Sequence, residues 1–556
     1  MESGRDSYLH LFRYYHTLKN MKFGQIINYI LFKRRRKKLS IIDARGIIAL
    51  TESLKQNYKF EDNQKNFDIC FYNQPISFNT DELNWEPRNI STETEEMWLI
   101  KLHSFDWLND ENSTNISDKL ASFLILDWLS KYSDEHSKVW EPYTLSKRLV
   151  SWTKWLSSNK TAPELPSIIK LSVSQQLKRL FIDLEYFNPG NELIENIRGF
   201  LAGCCLLINS SQYFNNELEY QLEQIIDEAI EQLNIQILKD GAHFERSPYY
   251  HFKMLEAMKD IKNLAVNISK QGFLLPDLLE KADNLATLCQ DKIESMMKWL
   301  EKLTFSNGEV SQFNDSARIK GLNHSFEELT ELLEDSGFFV KHNSDYSFIL
   351  SCGSPSPAFL PSHSHCDILS YELEINKQLA VIDSGCSGYD NETLRQMSRE
   401  TEAHNLPMVQ HQDQSDIWGR FNFGKRAKII NRVFNKEDSS LEIEIKDQFG
   451  QILIRRISFS NKSIEISDLL KKRRMEGCFV SLLHLAPNIE LEIKQGECEN
   501  IINCKMTNDL KFSIITKANV RVSDYISFPD FGKSVGAKML SLSNKEAEEL
   551  TYVIKW

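Results

Sequence analysis

Two hydrophobic periods divide the chain. From about residue 95 to 335, apolar residues recur every three or four positions, in stretches such as SDKLASFLILDWLSKY, TLSKRLVSWTKWLSS and NELEYQLEQIIDEAIEQLNIQIL. That is the spacing of amphipathic helices, and Gly and Pro fall mostly between the stretches, where helices end. After residue 340 the period is two: YSFILSC, LEIEIKD, QILIRRISFS, SIEISD and LEIKQG alternate apolar with polar residues and are bounded by Asn, Gly and Ser. Many short, closely spaced strands predict an antiparallel sandwich. Helices and strands are kept in separate runs, so the pattern predicts a multidomain chain, α then β. A bundle or toroid of helical hairpins is followed by an antiparallel β-sandwich packed against it. The predicted boundaries are an N-terminal extension and linker over 1–94, a helical domain over 95–338 and a β-domain over 339–556.

The first ninety residues have a mixed pattern, with Pro75, Asn79 and Pro87 punctuating a linker-like strand region. Lys33 to Lys38 reads KRRRKK and follows the apolar NYILF. A basic helix with an apolar flank suits an anionic membrane surface, although such a run is commonly just a solvated helix end. Trp152 and Trp155 are spaced for one helix face, which fits core packing or an aromatic floor for sugar rings.

Composition narrows the function classes. Apolar residues make up 41% and charged residues 26% of the 556, as in soluble globular proteins. A net charge of −12 argues against a general nucleic-acid binder, which needs a basic surface. Steering is local, so a basic cleft on an acidic protein is compatible with an acidic ligand. The ten cysteines are scattered without a C-x-x-C pair and predict buried thiols in a reducing compartment. The opening MESGRDSYLHLFRYYHTLKNMKFG lacks an apolar signal region, and no run reaches the length of a membrane span. The expectation from sequence is therefore a cytoplasmic protein.

Two stretches carry candidate chemistry. The first runs from His363 to Asn405. His363 and His365 point the same way in an extended strand. SYELEI (370–375) and QLAVID (378–383) read as strands joined at Asn376-Lys377, a hairpin that returns Asp383 towards the histidines. His404 closes the segment. Two imidazoles and a carboxylate converging from His365, Asp383 and His404 suit zinc or another borderline divalent ion, whereas each residue alone is more often a hydrogen-bonded core residue. The second stretch is DGAHFERSPYYHF (240–252). Ser247-Pro248 predicts a helix start with Tyr249, Tyr250 and His251 in its first turn, where the free N–H groups and the dipole favour negative charge.

Both stretches resemble the heparinase II/III-like polysaccharide lyases of the bacterial surface-polysaccharide type. H-x-H-x-D…VIDSG…RETEAHN looks like the family's metal and base segment, and DGAHFERSPYYH is similar to its GGHFERSPMYH signature. LIKLHSFDWL (99–108) and the N-terminal segment resemble the same proteins more loosely. The resemblance implies an incomplete (α/α) toroid followed by the β-sandwich. It implies Tyr250 and His363 as the catalytic pair, His251 and Arg246 beside them, and His365, Asp383 and His404 as ligands of a structural zinc ion. FNPGNELIENIRGFLAGC (187–204) matches a family helix start that reads N-H; Asn191 takes the place of the carboxylate-binding Asn, and Glu192 replaces the His beside the substrate. FNDS (313–316) resembles a shorter motif, in which Asp315 either orients a cleft residue or serves as an ordinary loop carboxylate.

The activity so implied is β-elimination from a uronic-acid-containing, acidic polysaccharide, catalysed by a carbon–oxygen lyase. Asn191 would hold the carboxylate, and Tyr250 and His363 would share the base and acid roles, with His251 or Arg246 as the positive neighbour that Tyr250 needs at neutral pH. Tyr250 and His363 are then expected to face each other from different domains, a sugar's width apart, with Asn191 and His251 lining the same pocket. Glu192 and the absence of a signal region favour the alternative, a non-catalytic carbohydrate-binding protein of polysaccharide assembly that keeps the fold. Proteins of this family usually work in the cell envelope or periplasm.

Overall fold

The computed structural model describes residues 2–36, 51, 65–109, 116–132, 138–158, 164–322, 327–544 and 547–556. Helices dominate up to Lys302, and antiparallel sheets follow. By contacts the chain divides into two units: a helical unit of residues 22–236 and 254–294, and a β unit of residues 1–21, 237–253 and 295–556. The segment 237–253, with its HFERSP signature, thus groups with the sheets although the hydrophobic period places it among helices.

In the helical unit, prolines open several helices, among them Pro142–Ser158 and Pro276–Lys302, because a first-turn residue has no intrahelical use for its N–H. A Cβ on Gly199 would lie 2.6 Å from Ser146 Cα and one on Gly203 would lie 2.8 Å from Leu177 Cδ2. Glycine at both positions therefore lets helix Asn191–Leu207 settle against helices Pro142–Ser158 and Glu164–Asp183. Trp98, Trp107, Trp128, Trp140, Trp152 and Trp155 are buried. Trp152 and Trp155 are core residues and form no floor for sugars.

The β unit holds a five-stranded antiparallel meander, Leu329–Leu333, Phe338–His342, Tyr346–Ser351, Tyr371–Ile375 and Gln378–Val381, along with an eight-stranded and a four-stranded antiparallel sheet. One apolar cluster draws on all three, through residues such as Phe348 and Leu373, Ile466 and Ile554, and Leu483 and Leu540. The turn predicted at Asn376-Lys377 is present, with φ of 48° and 64° and Ile375 paired to Gln378; two positive φ values suit the right-handed twist of a tight hairpin.

One strand departs from its pattern. The alternation in SYELEI predicts one wet face, yet Tyr371–Ile375 is buried throughout. Glu374 accepts from the backbone of Ser306 and Asn307, each at 3.0 Å. Glu372 accepts from Gln312 N at 2.8 Å, Arg318 Nη2 at 3.0 Å and Asp383 N at 3.1 Å. A buried carboxylate persists only with such partners, and here they pin the loop that carries Asp315.

Candidate active site

The site is assembled within the β unit from four short segments. In the first, Ser247 caps the helix Pro248–Ser269: its Oγ accepts from Tyr250 N at 3.2 Å and donates to Asp315 O at 2.7 Å. Just before it, Arg246 sits at φ 57°, in the left-handed region that non-glycine residues adopt uncommonly. Asn314 Nδ2 donates to Arg246 O at 3.0 Å, and Asn314 Oδ1 accepts from His365 N at 3.0 Å. One asparagine thus joins the helix start, the Asp315 loop and the segment bearing His363 and His365, which is a loop and not the extended strand expected of it.

Asp315 is the hub. Its carboxylate accepts from His363 Nδ1 at 2.9 Å, His365 Nε2 at 2.7 Å and Arg395 Nη2 at 2.9 Å. Arg395 Nη1 donates to it as well, and so does the Cys386 thiol at 3.3 Å. Burial opposes charge on Asp315, but the Arg395 guanidinium and the two imidazoles outweigh it and hold its pKa well below the carboxylate range. Burial is the main reason that the His365 pKa falls to about 4, despite Asp315.

The His363 ring stacks on the Tyr250 ring with centroids 3.8 Å apart and 25° between planes. Its Nε2 lies 3.8 Å from Glu245 Oε2. The Tyr250 hydroxyl is 2.6 Å from that of Tyr389, and the Arg395 guanidinium lies over the Tyr389 ring at 5.0 Å. Burial, Asp315 and Tyr250 push the Tyr389 pKa well above its ordinary value, so Tyr389 keeps its proton.

Several expectations change here. Tyr250 and His363 belong to one contact unit, and their rings touch where a sugar's width was expected. His251 is fully buried, with Nδ1 accepting from His243 N at 3.1 Å and Nε2 donating to Met296 O at 3.0 Å. Burial lowers its pKa to about 4, so it supplies Tyr250 with no positive charge. The Arg246 guanidinium donates to the backbone oxygens of Ser354 at 2.7 Å and Asp335 at 2.8 Å; it serves as a clamp. The cation of the cluster is Arg395. Asn191, which is buried, and Glu192 open helix Asn191–Leu207 of the helical unit.

The three predicted metal ligands are neighbours without forming a closed cage. His404 Nδ1 is 2.8 Å from Asp383 Oδ2, and the His365 and His404 rings are 5.4 Å apart. His365 Nδ1 and His404 Nε2 are buried with no hydrogen-bond partner. Two orphaned imidazole nitrogens beside a carboxylate fit a borderline cation. Among the described residues, the group of three whose ligand atoms all lie within 4.8 Å of one another is Asp315, His365 and Cys386. Burial pushes the Cys386 thiol up, so it acts there as a donor to Asp315.

Sequence reasoning passed over Glu245, Cys386, Tyr389 and Arg395. All four lie inside the two singled-out stretches. A buried carboxylate beside two histidines calls for a permanent cation, and that requirement points to an arginine in the same segment.

The model of the heparinase II/III N-terminus matches residues 4–338, and that of the heparinase II/III-like C-terminal domain matches residues 328–551. This chain belongs to the heparinase II/III family. No curated protein matches it. Among solved structures, a heparinase III is 15% identical with a TM-score of 0.62, over 99% of this chain and 88% of the other. The heparan sulfate lyase HepC from Pedobacter heparinus is 14% identical with a TM-score of 0.54, over 96% and 88%. At such identities the similarity establishes the fold, helical and then antiparallel β, that this chain shares with heparinases.

Proposed function

We propose that this heparinase II/III-family protein is a polysaccharide lyase that cleaves a uronic-acid-containing, acidic polysaccharide by β-elimination. The observation that carries the reading is the Asp315 hub, which fixes His363 against Tyr250. In the reaction a base removes the C5 proton, the electron pair forms the C4–C5 double bond, the C4–O bond breaks, and an acid protonates the leaving oxygen. Tyr250 and His363 share these roles. His363 donates its Nδ1 proton to Asp315, which leaves Nε2 to take or deliver a proton. Tyr389, which keeps its proton, donates to the Tyr250 oxygen and stabilises negative charge developing there. Since the rings stack, the sugar meets their polar edges and does not enter between them. The carboxylate-binding role of Asn191, and the effect of Glu192 beside it, rest on the resemblance of that segment. His365, Asp383 and His404 would hold a zinc ion that braces the loop bearing His363, a structural part in this reading.

The contact between Tyr250 and His363 also favours a second reading, a carbohydrate-binding protein that keeps the fold without turnover. One experiment separates the two. Purified protein is incubated with acidic glycans and monitored for the ultraviolet absorbance of the unsaturated product. Turnover is expected with at least one uronate polymer and should fall by at least about 10³-fold in Tyr250→Phe, with the melting temperature retained. Full activity in Tyr250→Phe removes the proposed chemistry. Glycan binding without absorbance selects the second reading.

A further inference from the structure

Helix Phe23–Arg36 presents two unlike faces. On one, Gln25 and Phe32 are buried, Gln25 Nε2 donates to Phe187 O at 3.4 Å, and the Phe32 ring lies 4.7 Å from that of Phe187. On the opposite face Phe23, Ile27 and Ile30 are 77%, 40% and 45% exposed. Their spacing of four and three residues puts them on one stripe, and Arg34, four residues on, continues it. Lys33, Arg34 and Arg35 are exposed at the helix end; Lys37 and Lys38 of the basic run lie outside the described residues.

Cations at a helix C-terminus are ordinary, since they complement the dipole. Three large apolar side chains in water on the face away from the packing are not. An acidic polymer alone would use the charges and leave the stripe wet, whereas an anionic lipid surface takes both: apolar side chains at the acyl boundary and basic ones at the headgroups. No described helix is long and apolar enough to cross a membrane. We infer that helix Phe23–Arg36 docks this protein on an anionic lipid bilayer, with Phe23, Ile27 and Ile30 facing the acyl boundary and Lys33 and Arg34 engaging the headgroups. This inference is independent of the lyase reading.

The test is cosedimentation of the full chain with vesicles of phosphatidylcholine, alone or mixed with phosphatidylglycerol, at low and physiological salt. Binding is expected on the anionic vesicles and should weaken as salt rises. Ile27→Asp with Ile30→Asp should abolish it. Lys33→Gln with Arg34→Gln should reduce partitioning about thirtyfold, at roughly fivefold per basic residue. These side chains are exposed, so the melting temperature should not change; should the aspartate variant fail to fold, the glutamine variant decides alone. Absence of binding to anionic vesicles, or binding that neither variant weakens, overturns the inference. So does gel filtration in which the stripe variant splits a dimer without altering vesicle binding, which would give the stripe to a second copy of the chain.

Discussion

Both units bury arginines, and one from each, Arg148 and Arg395, is buried in a different way. Arg148 of the helical unit donates to Gln176 Oε1 at 3.0 Å and to the backbone oxygens of His103 at 3.2 Å and Val139 at 3.0 Å. Its guanidinium lies 4.4 Å from the centre of the Trp128 ring. No carboxylate is among these partners, Nη2 has no hydrogen-bond partner, and burial pulls its pKa down. Arg395 of the β unit grips Asp315 with two nitrogens and donates further to the backbone oxygens of Arg420 at 3.0 Å and Ser362 at 3.2 Å. There the Asp315 carboxylate outweighs burial and raises its pKa. A cation cradled by carbonyls and an indole ring ties helices together. One locked to a carboxylate that also orders two imidazoles sets protonation states. The first arrangement serves the fold, and the second, in the proposed lyase reading, would serve the chemistry.

Three changes break this contrast at different strengths. Asp315→Asn should have the largest effect: it leaves Arg395 buried without its counter-charge, at a cost of about 3–5 kcal/mol in stability. It also loosens His363, so turnover per folded molecule, read well below the melting temperature, should fall by about 10²–10⁴-fold. Unchanged turnover would show that the hub does not position His363. Arg148→Met should lower stability by about 3 kcal/mol, since it orphans buried carbonyls, and leave turnover per folded molecule intact. A denaturant melt with parallel assays checks both halves.

The smallest effect concerns His103, whose Nδ1 accepts from Trp128 Nε1 at 3.1 Å. Burial, and then Arg148, lower its pKa to about 3. Its unfolded value is near 6.5, so between these pH values the unfolded chain binds a proton that the folded chain refuses. The stability His103 contributes is therefore complete above about pH 6.5 and is lost as pH falls towards 3, at up to about 1.4 kcal/mol per pH unit. His103→Gln keeps an acceptor for Trp128 and should flatten that slope. An unaltered slope would show that other groups set the acid sensitivity.

The order of helices and then strands, the Asn376-Lys377 turn and the Ser247-Pro248 helix start were legible in the chain, because each depends on neighbours a few residues apart. The boundary expected near residue 340 falls earlier, since the last long helix ends at Lys302 and the five-stranded sheet begins at Leu329. Periodicity reports which residues share a face, so the order of helices and strands follows from it. It says nothing of what covers that face. Glu372 and Glu374 read as solvent-facing and are buried because the 306–318 loop folds over them. Trp152 and Trp155 suit a sugar floor or a core equally well by spacing, and only packing puts them in the core.

The site divides along the same line. Residue types and spacing bring His363, His365, Asp383 and His404 into view, and the resemblance of DGAHFERSPYYH singles out Tyr250. The tertiary structure alone decides that Asp315 sits between two histidines, that Arg395 neutralises it, that Tyr389 meets Tyr250, and that His251 and Arg246 are bound to backbone. Each of these is a contact between segments far apart in sequence, and each turns on desolvation and on the direction of a hydrogen bond. A local pattern carries information about propensity and facing; burial, charge pairing and tautomer exist only once distant segments meet.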